Sequence, residues 1–324
     1  MHVLVTGGAG FIGSHLTDAL LARGDEVTVV DDLSAGRLGR LDDRAVLHKQ
    51  SVTDAALLTE LVTAVRPELI CHLAAQIDVR ASVAAPDADA RVNVIGTVNV
   101  LEAARQAGAR VLFCSTGGAL YGKDAPIPSA ETVLPLPESP YGIAKFCAEQ
   151  YVGLYNRLHG TRHSVLRFAN VYGPRQDPAG EAGVVAIFCS RVLAGQQPVI
   201  YGDGKQTRDY LFVGDAVAAF LAAADRDRPG TWNIGTGIET TVLDLAETIA
   251  TVSGRRVEPE FAPERPGELQ RSALAAGLAG CDLGWSAATS LADGVRAVYR
   301  WIGSGTPARA GRDARNEAAA VAPE

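Results

Sequence analysis

Tyr141-Gly142-Ile143-Ala144-Lys145 opens a stretch whose apolar residues recur at helical spacing, and a separation of four puts the phenol and the ammonium on one face. The ammonium is expected to stabilise a phenolate, bringing Tyr141 below its ordinary value near ~10 so that it can act as a base at neutral pH. Alone, this pair is a pattern that surface helices often produce. It gains weight from the apolar run Val111-Leu112-Phe113-Cys114, which ends in Ser115-Thr116, two hydroxyls where a strand would finish. Open α/β sheets bind their ligands at that edge. A phenol, a hydroxyl to relay a proton and a fixed cation are the parts needed to take a proton from an alcohol.

A third constellation supplies a phosphate cradle. Val3-Leu4-Val5 leads into Thr6-Gly7-Gly8-Ala9-Gly10-Phe11-Ile12-Gly13 and then a helical pattern, so Gly7, Gly10 and Gly13 stand on a strand-to-helix turn. One glycine permits the turn, one lets backbone approach a diphosphate, and one packs helix on strand. The diphosphate then lies on the helix N-terminus. The following strand delivers Asp31, a carboxylate suited to both ribose hydroxyls of an adenosine. Asp31 repels a 2′-phosphate and no arginine follows it before Arg37, so NAD is favoured over NADP. Asp32 reads as a turn residue.

These groups need a doubly wound α/β scaffold, and the pattern provides one. Val3 to Val5, Glu26 to Val30, Leu69 to Leu73, Val111 to Cys114 and Ser164 to Phe168 are nearly continuous apolar runs, as in parallel strands covered on both faces. Phe11 to Arg23, Ala55 to Val65, Ala88 to Gln106 and Tyr141 to Leu158 show helical spacing. A Rossmann-type, NAD-binding domain is expected over 1–170. A smaller, mainly substrate-binding α/β region is expected over 171–302, with some segments returning to the first, and a flexible tail over 303–324.

The chain has 324 residues, a net charge of −7 and 47% hydrophobic residues, which fits a globular protein with an ample core and argues against nucleic acid as partner. No apolar run is long enough to span a bilayer and no leader precedes the first strand, so a cytoplasmic protein is expected. Cys71, Cys114, Cys147, Cys189 and Cys281 are scattered and read as reduced packing thiols. His159 and His163 have metal-ligand spacing, but Gly160 interrupts the helix and no carboxylate or thiol joins them, so no metal is expected.

From residue 1 to about 302 the sequence resembles the extended short-chain dehydrogenase/reductase family, and within it the nucleotide-sugar epimerases of the UDP-glucose 4-epimerase type. The resemblance runs through TGGAGFIGSH, DDLSAG, HLAAQ, NVIGTVNVLEAA, STGGALYG, YGIAK, LRFANVYGPRQ, YGDGKQTRDYLFVGD, NIGTG and the RPGE segment. It implies that Gly7, Gly10, Phe11, Ile12, Gly13, Asp31, Leu73, Ala75, Asn93, Tyr141 and Lys145 serve NAD. It also implies that Asn170, Arg208, Tyr210 and Arg265 touch a nucleoside-diphosphate sugar, the arginines gripping the diphosphate. Catalysis would fall to Tyr141 and Lys145 with Thr116, or Ser115, as hydroxyl relay.

The implied reaction is C4 epimerisation of a nucleoside-diphosphate hexose through a 4-keto sugar, on UDP-glucose and UDP-galactose or their N-acetyl analogues. The alternative is epimerisation, oxidation or decarboxylation of another nucleotide sugar, such as a uronic or dTDP-linked one. Related dehydratases carry an Asp-Glu pair after the hydroxyl; here Gly117 and Gly118 follow Thr116, which argues against dehydration. Ser51 replaces the family's usual carboxylate near the adenine. Ser272 stands where a large Tyr accompanies enzymes confined to glucose and galactose, and so leaves room for an N-acetyl group. Homodimers, paired through the two long helices, are common in the family.

Overall fold

Apolar strand-like runs alternate with Ala/Leu-rich helical ones, and the computed structural model, which describes residues 1–178, 183–264 and 269–305, assembles them in that order. The first part contains β1 (His2–Thr6), α1 (Phe11–Arg23), β2 (Glu26–Val30), β3 (Val46–His48), α2 (Ala55–Val65), β4 (Leu69–His72), α3 (Val79–Ala84), α4 (Pro86–Ala90), α5 (Gly96–Ala107), β5 (Arg110–Thr116), α6 (Pro140–His159) and β6 (Ser164–Phe168). There follow β7 (Asn170–Tyr172), α7 (Val184–Leu193), β8 (Val199–Tyr201), β9 (Thr207–Arg208), β10 (Tyr210–Phe212), α8 (Val213–Asp225), β11 (Thr231–Ile234), β12 (Thr240–Thr241), α9 (Val242–Ser253), β13 (Glu260–Ala262), α10 (Gly277–Leu283) and α11 (Leu291–Gly303).

One seven-stranded sheet runs in the order β11-β6-β5-β4-β1-β2-β3, with every pairing parallel. The winding reverses between β1 and β4, and a ligand crevice lies outside the carboxyl ends at such a reversal. Alternation along each strand explains why the runs are apolar throughout. Val3, Val5, Leu69, Cys71, Leu112 and Leu166 join a core with Leu16 and Leu20 of α1 and Phe220 of α8. Leu4, Ile70, Val111, Phe113 and Val165 meet Leu58 and Val62 of α2, Leu101 of α5 and Val152 of α6 on the other face. A third core gathers Tyr172, Phe188, Leu245, Ile249 and Val295 from the later elements.

Three local differences from the sequence reading bear on the site. The helix expected over Ala88 to Gln106 is broken into α4 and α5 by a π-type turn at Arg91–Ile95. That wider turn carries Asn93 into the loop after β4, the kind of functional placement π-turns commonly make. β5 runs on through Thr116, so the two hydroxyl residues are successive strand positions with different neighbours. β3 and α3 give no periodic signal because one is three residues long and the other six. All five cysteines are free; Cys71 and Cys189 are buried, but Cys281 is exposed and so is no packing thiol. Among the described residues no helix is long and apolar enough to cross a membrane. The tail from 306 onward lies outside the described residues.

Two buried histidines make stability depend on pH. His163 Nδ1 accepts from the Val111 amide at 3.0 Å, and burial depresses the imidazole to about 4. His72 is 1% exposed and is pushed down to about 3, chiefly by burial and further by the Lys145 charge. Both stay neutral in the fold, whereas the unfolded chain protonates them near ~6.5. Their contribution is therefore full above that pH and is lost as pH falls towards about 4 and 3. Urea unfolding followed by tryptophan fluorescence should show stability dropping by about 1.4 kcal/mol per pH unit for each histidine below pH ~6. A flat profile from pH ~7 to ~5 would contradict this.

Candidate active site

The cradle has the shape its glycines require. Gly7 adopts φ +71°, and a Cβ there would lie 2.7 Å from the Ala74 amide nitrogen. At Gly13 a Cβ would meet the Gly7 carbonyl oxygen at 2.0 Å, so this glycine lets α1 close on the turn. α1 begins at Gly10 with no side-chain cap and no acidic residue in its first turn, which leaves its amides for an anion. Phe11 and Ile12 form the rest of that first turn. Asp31 follows β2, 7% exposed, its Oδ2 accepting from the Ala9 amide and its Oδ1 from that of Leu33, each at 2.9 Å. Burial raises its carboxyl, and the two amides oppose the shift. Gly36 is needed beside it, since a Cβ there would be 2.5 Å from Oδ1. These features fit an adenine dinucleotide whose diphosphate lies on the turn and whose ribose meets Asp31. The Arg37 guanidinium pairs with Asp177 at the surface. Asp32 caps its own turn through Ser34, and Ser51 bonds Thr53.

A polar chain that the sequence reading missed holds the other wall. The Thr97 hydroxyl donates to the Asn93 carbonyl at 2.7 Å, so it accepts from His72 Nε2 at 3.0 Å. His72 Nδ1 then accepts from the Thr6 hydroxyl at 2.7 Å, and Thr6 Oγ1 accepts from the Ala74 amide. This fixes the imidazole tautomer and the path of Leu73–Ala75. Asn93, 1% exposed, clamps the same loop, accepting from the Gln76 amide and donating to its carbonyl. It therefore shapes the site from behind. The signal lay in HLAAQ and NVIGT, but two polar residues in separate segments do not reveal that they meet.

Tyr141 and Lys145 lie on α6 by the carboxyl end of β5. Burial pushes the Tyr141 phenol well above its ordinary pKa and dominates, while the nearby Thr116 hydroxyl pulls it the other way. This corrects the expectation that Lys145 lowers Tyr141. The ammonium donates one of its three hydrogens to the Cys114 carbonyl at 2.9 Å and lies 4.8 Å from the centre of the Phe113 ring. Lys145 is itself lowered by burial, against the pull of Cys114, Asp89 and Glu149.

Ser115 is committed elsewhere. Its hydroxyl donates to Glu149 Oε1 at 2.5 Å, and Glu149 receives Arg167 through Nε at 3.1 Å and Nη2 at 2.6 Å. Arg167 Nη1 donates to the Tyr121 hydroxyl, which donates to Asn233 Oδ1, each at 2.8 Å. Asn233 Nδ2 in turn donates to the Ser129 carbonyl. Thr116 is thus the hydroxyl left beside Tyr141. Tyr141, Lys145 and Glu149 share one helix face at successive spacings of four, a signal present in the sequence that the reading of the residues missed.

On the substrate side, Asn170 borders Gly118, where a Cβ would be 3.2 Å from its Oδ1. Gly117, Gly118, Tyr121, Ser129, Arg271 and Ser272 line a narrow crevice of about 10 Å³. Arg208 is half-buried in β9 with Nη1 on the Thr207 carbonyl. Tyr210 is 7% exposed, its ring edge-on to Tyr172 at 6.3 Å, which makes it a core side chain as much as a site one. Arg265 lies outside the described residues. Between Arg208 and Tyr210 the fully buried Asp209 accepts from Thr236, Gly237 and Leu274, tying the loop after β11 to the segment that follows Ser272. His159 rests on Tyr155 at 5.2 Å.

Comparison with known proteins agrees with this geometry. The model of the NAD dependent epimerase/dehydratase family matches residues 3–235. The chain is 48% identical over 302 residues to the UDP-glucose 4-epimerase of Mycolicibacterium smegmatis, covering 91% of this chain and 96% of that protein. Its fold is similar to that of the Thermotoga maritima UDP-glucose 4-epimerase solved with UDP-glucose, with a TM-score of 0.92 and 44% identity over 94% of this chain and 99% of that one. The UDP-glucose 4-epimerase of Thermus thermophilus solved with NAD gives 0.88 and 40% over 93% and 99%. With cradle, acidic ribose partner and Tyr-Lys helix set on one sheet edge and the family pattern spanning most of the sequence, the chain belongs to the NAD dependent epimerase/dehydratase family.

Proposed function

We propose that Tyr141 takes the proton of the sugar 4-hydroxyl, directly or through Thr116, and returns it when C4 is reduced again. The observation that carries this reading is the placing of Tyr141 beside Thr116 at the carboxyl edge of the sheet, one helical turn from Lys145 and beside the cradle. The protein is an NAD-dependent isomerase that inverts C4 of a nucleotide sugar through a 4-keto intermediate. Bound NAD supplies the acceptor and donor of the C4 hydrogen with its electron pair. Gly7, Gly10, Phe11, Ile12, Gly13, Asp31, Leu73 and Ala75 hold it, with Asn93 as the clamp behind and Lys145 reaching its nicotinamide ribose. Residues 1–170 carry the cofactor and 171–302 mainly the substrate, although β11 returns to complete the sheet. Asn170, Arg208, Tyr210 and Arg265 grip the nucleotide, which leaves the hexose free to present either face.

Ser272, beside Gly117 and Gly118, is a small side chain on the crevice wall, which supports a reading in which a 2-acetamido group is admitted. Arg271 on its wall is the feature that a uronic substrate would use, but its Nε and Nη2 already meet Glu239, at 2.9 and 2.5 Å. A neutral sugar, UDP-glucose or UDP-N-acetylglucosamine and their C4 epimers, is therefore favoured. Anomeric-region NMR should show both pairs interconverting. Ser272→Tyr should lower kcat/KM for the N-acetyl pair about tenfold or more and leave the plain hexoses within a few-fold. Equal loss on both would remove Ser272 as the determinant. A homodimer through α5 and α6 completes the reading, supported by exposed Ile143 and Leu158 on α6, and light scattering tests it. Free cysteines support a cytoplasmic place of action.

A further inference from the structure

Asp89 is a carboxylate that neither the fold nor the proposed proton transfer has so far required. It sits on α4 at 1% exposure, although an aspartate is rarely so buried without a paired charge. Its Oδ1 accepts from Gln76 Nε2 and from Asn93 Nδ2, both at 2.9 Å. Oδ2 is equally buried and has no hydrogen-bond partner among the described residues. Burial raises this carboxyl, and the two donors on Oδ1 together with the Lys145 charge oppose that shift and hold the anion. Such a group costs stability, so it persists where its charge is used.

The use lies across the interface with α6. α4 packs on α6 and on α3. From α6 the titratable groups that feel Asp89 are Tyr141 and Lys145. On α3 the carboxylate of Asp78 caps its own helix, and Arg80 is exposed. Lys145 also feels Cys114 and Glu149, and Tyr141 also feels Cys114 and Thr116. We propose that Asp89 is an electrostatic positioning residue of this active site: held by Gln76 and Asn93, its buried anion is the counter-charge of the Lys145 ammonium and sets the pH at which the Tyr141–Lys145 pair works. The π-type turn at Arg91–Ile95 has a reason on this account, because it brings Asn93 round to hold both the Gln76 loop and this carboxylate.

The proposal rests on Tyr141 being the base, and its sign is definite. A nearby anion favours an ammonium and disfavours a phenolate, so removing it lowers the pKa of both groups together. Asp89→Asn keeps an oxygen for Gln76 and Asn93 and deletes the charge. In the NAD-loaded enzyme, both limbs of the kcat/KM profile against pH should move to lower pH by about half to one unit. Asp89→Glu, which keeps the charge, should restore the wild-type limbs even where kcat falls. A second readout does not depend on turnover: in protein with [13C]-labelled lysine, the Lys145 signal should titrate at lower pH in Asp89→Asn than in wild type. A purely structural Asp89 would lower kcat with limbs and Lys145 titration unmoved, and that result overturns the proposal. If instead Tyr141→Phe retained turnover, the base assignment would fail, while the Lys145 titration would still decide for or against Asp89.

Discussion

Tyr141→Phe is expected to lower kcat by about 10³- to 10⁴-fold, the upper range of what a positioned base contributes, with little change in nucleotide-sugar affinity. The ring stays in its place among buried neighbours and only the hydroxyl beside Thr116 is lost. Burial raises the phenol, so the base exists in this site only through what opposes burial, and the Thr116 hydroxyl is such a group. Thr116→Val should accordingly retain folding and lose a smaller part of kcat. Initial rates with equilibrium dialysis of the nucleotide check both, and a Phe variant within tenfold of wild type would refute the assignment.

Glu149→Ala is expected to destabilise the protein by about 3–5 kcal/mol, the cost of leaving a buried charge unpaired. Arg167 keeps 8% of its side chain exposed and Glu149 4%, so water cannot take over the pairing. The loss also frees Ser115 and loosens Tyr121 and Asn233, which connect the end of β5 to Ser129 and so to the segment around Leu274. Removing both charges together with residues of similar volume should cost much less than removing either alone. Urea unfolding of the single and double variants measures this, and a single-variant loss below about 1 kcal/mol would show that the network carries little.

The glycine cradle and the central strands were legible from the residues alone. Gly7 and Gly13 could be read because their places exclude a Cβ, and Asp31 because it ends a strand two elements from the cradle. The parallel strands were legible because both faces are covered, which removes the alternation and leaves apolar runs. What stayed hidden were polar pairings between distant segments. His72 with Thr6 and Thr97, Glu149 with Arg167, and Asp209 with the loops at Thr236 and Leu274 each join residues with no periodic relation. The Tyr141–Lys145 spacing does mean a shared face, yet a shared face does not say where an ammonium points. The Cys114 carbonyl took it. Ser115 and Thr116 were equivalent as letters, and only the position of Glu149 on α6 separated them.

The central claim is that C4 is oxidised and reduced again within one site, with its hydrogen kept. The most direct measurement follows a deuterium at C4 of UDP-glucose through epimerisation in ordinary water, with the product read by NMR and mass spectrometry. Retention of the label at C4 of the UDP-galactose formed is the predicted result. Epimerisation with the label exchanged into solvent would contradict the account.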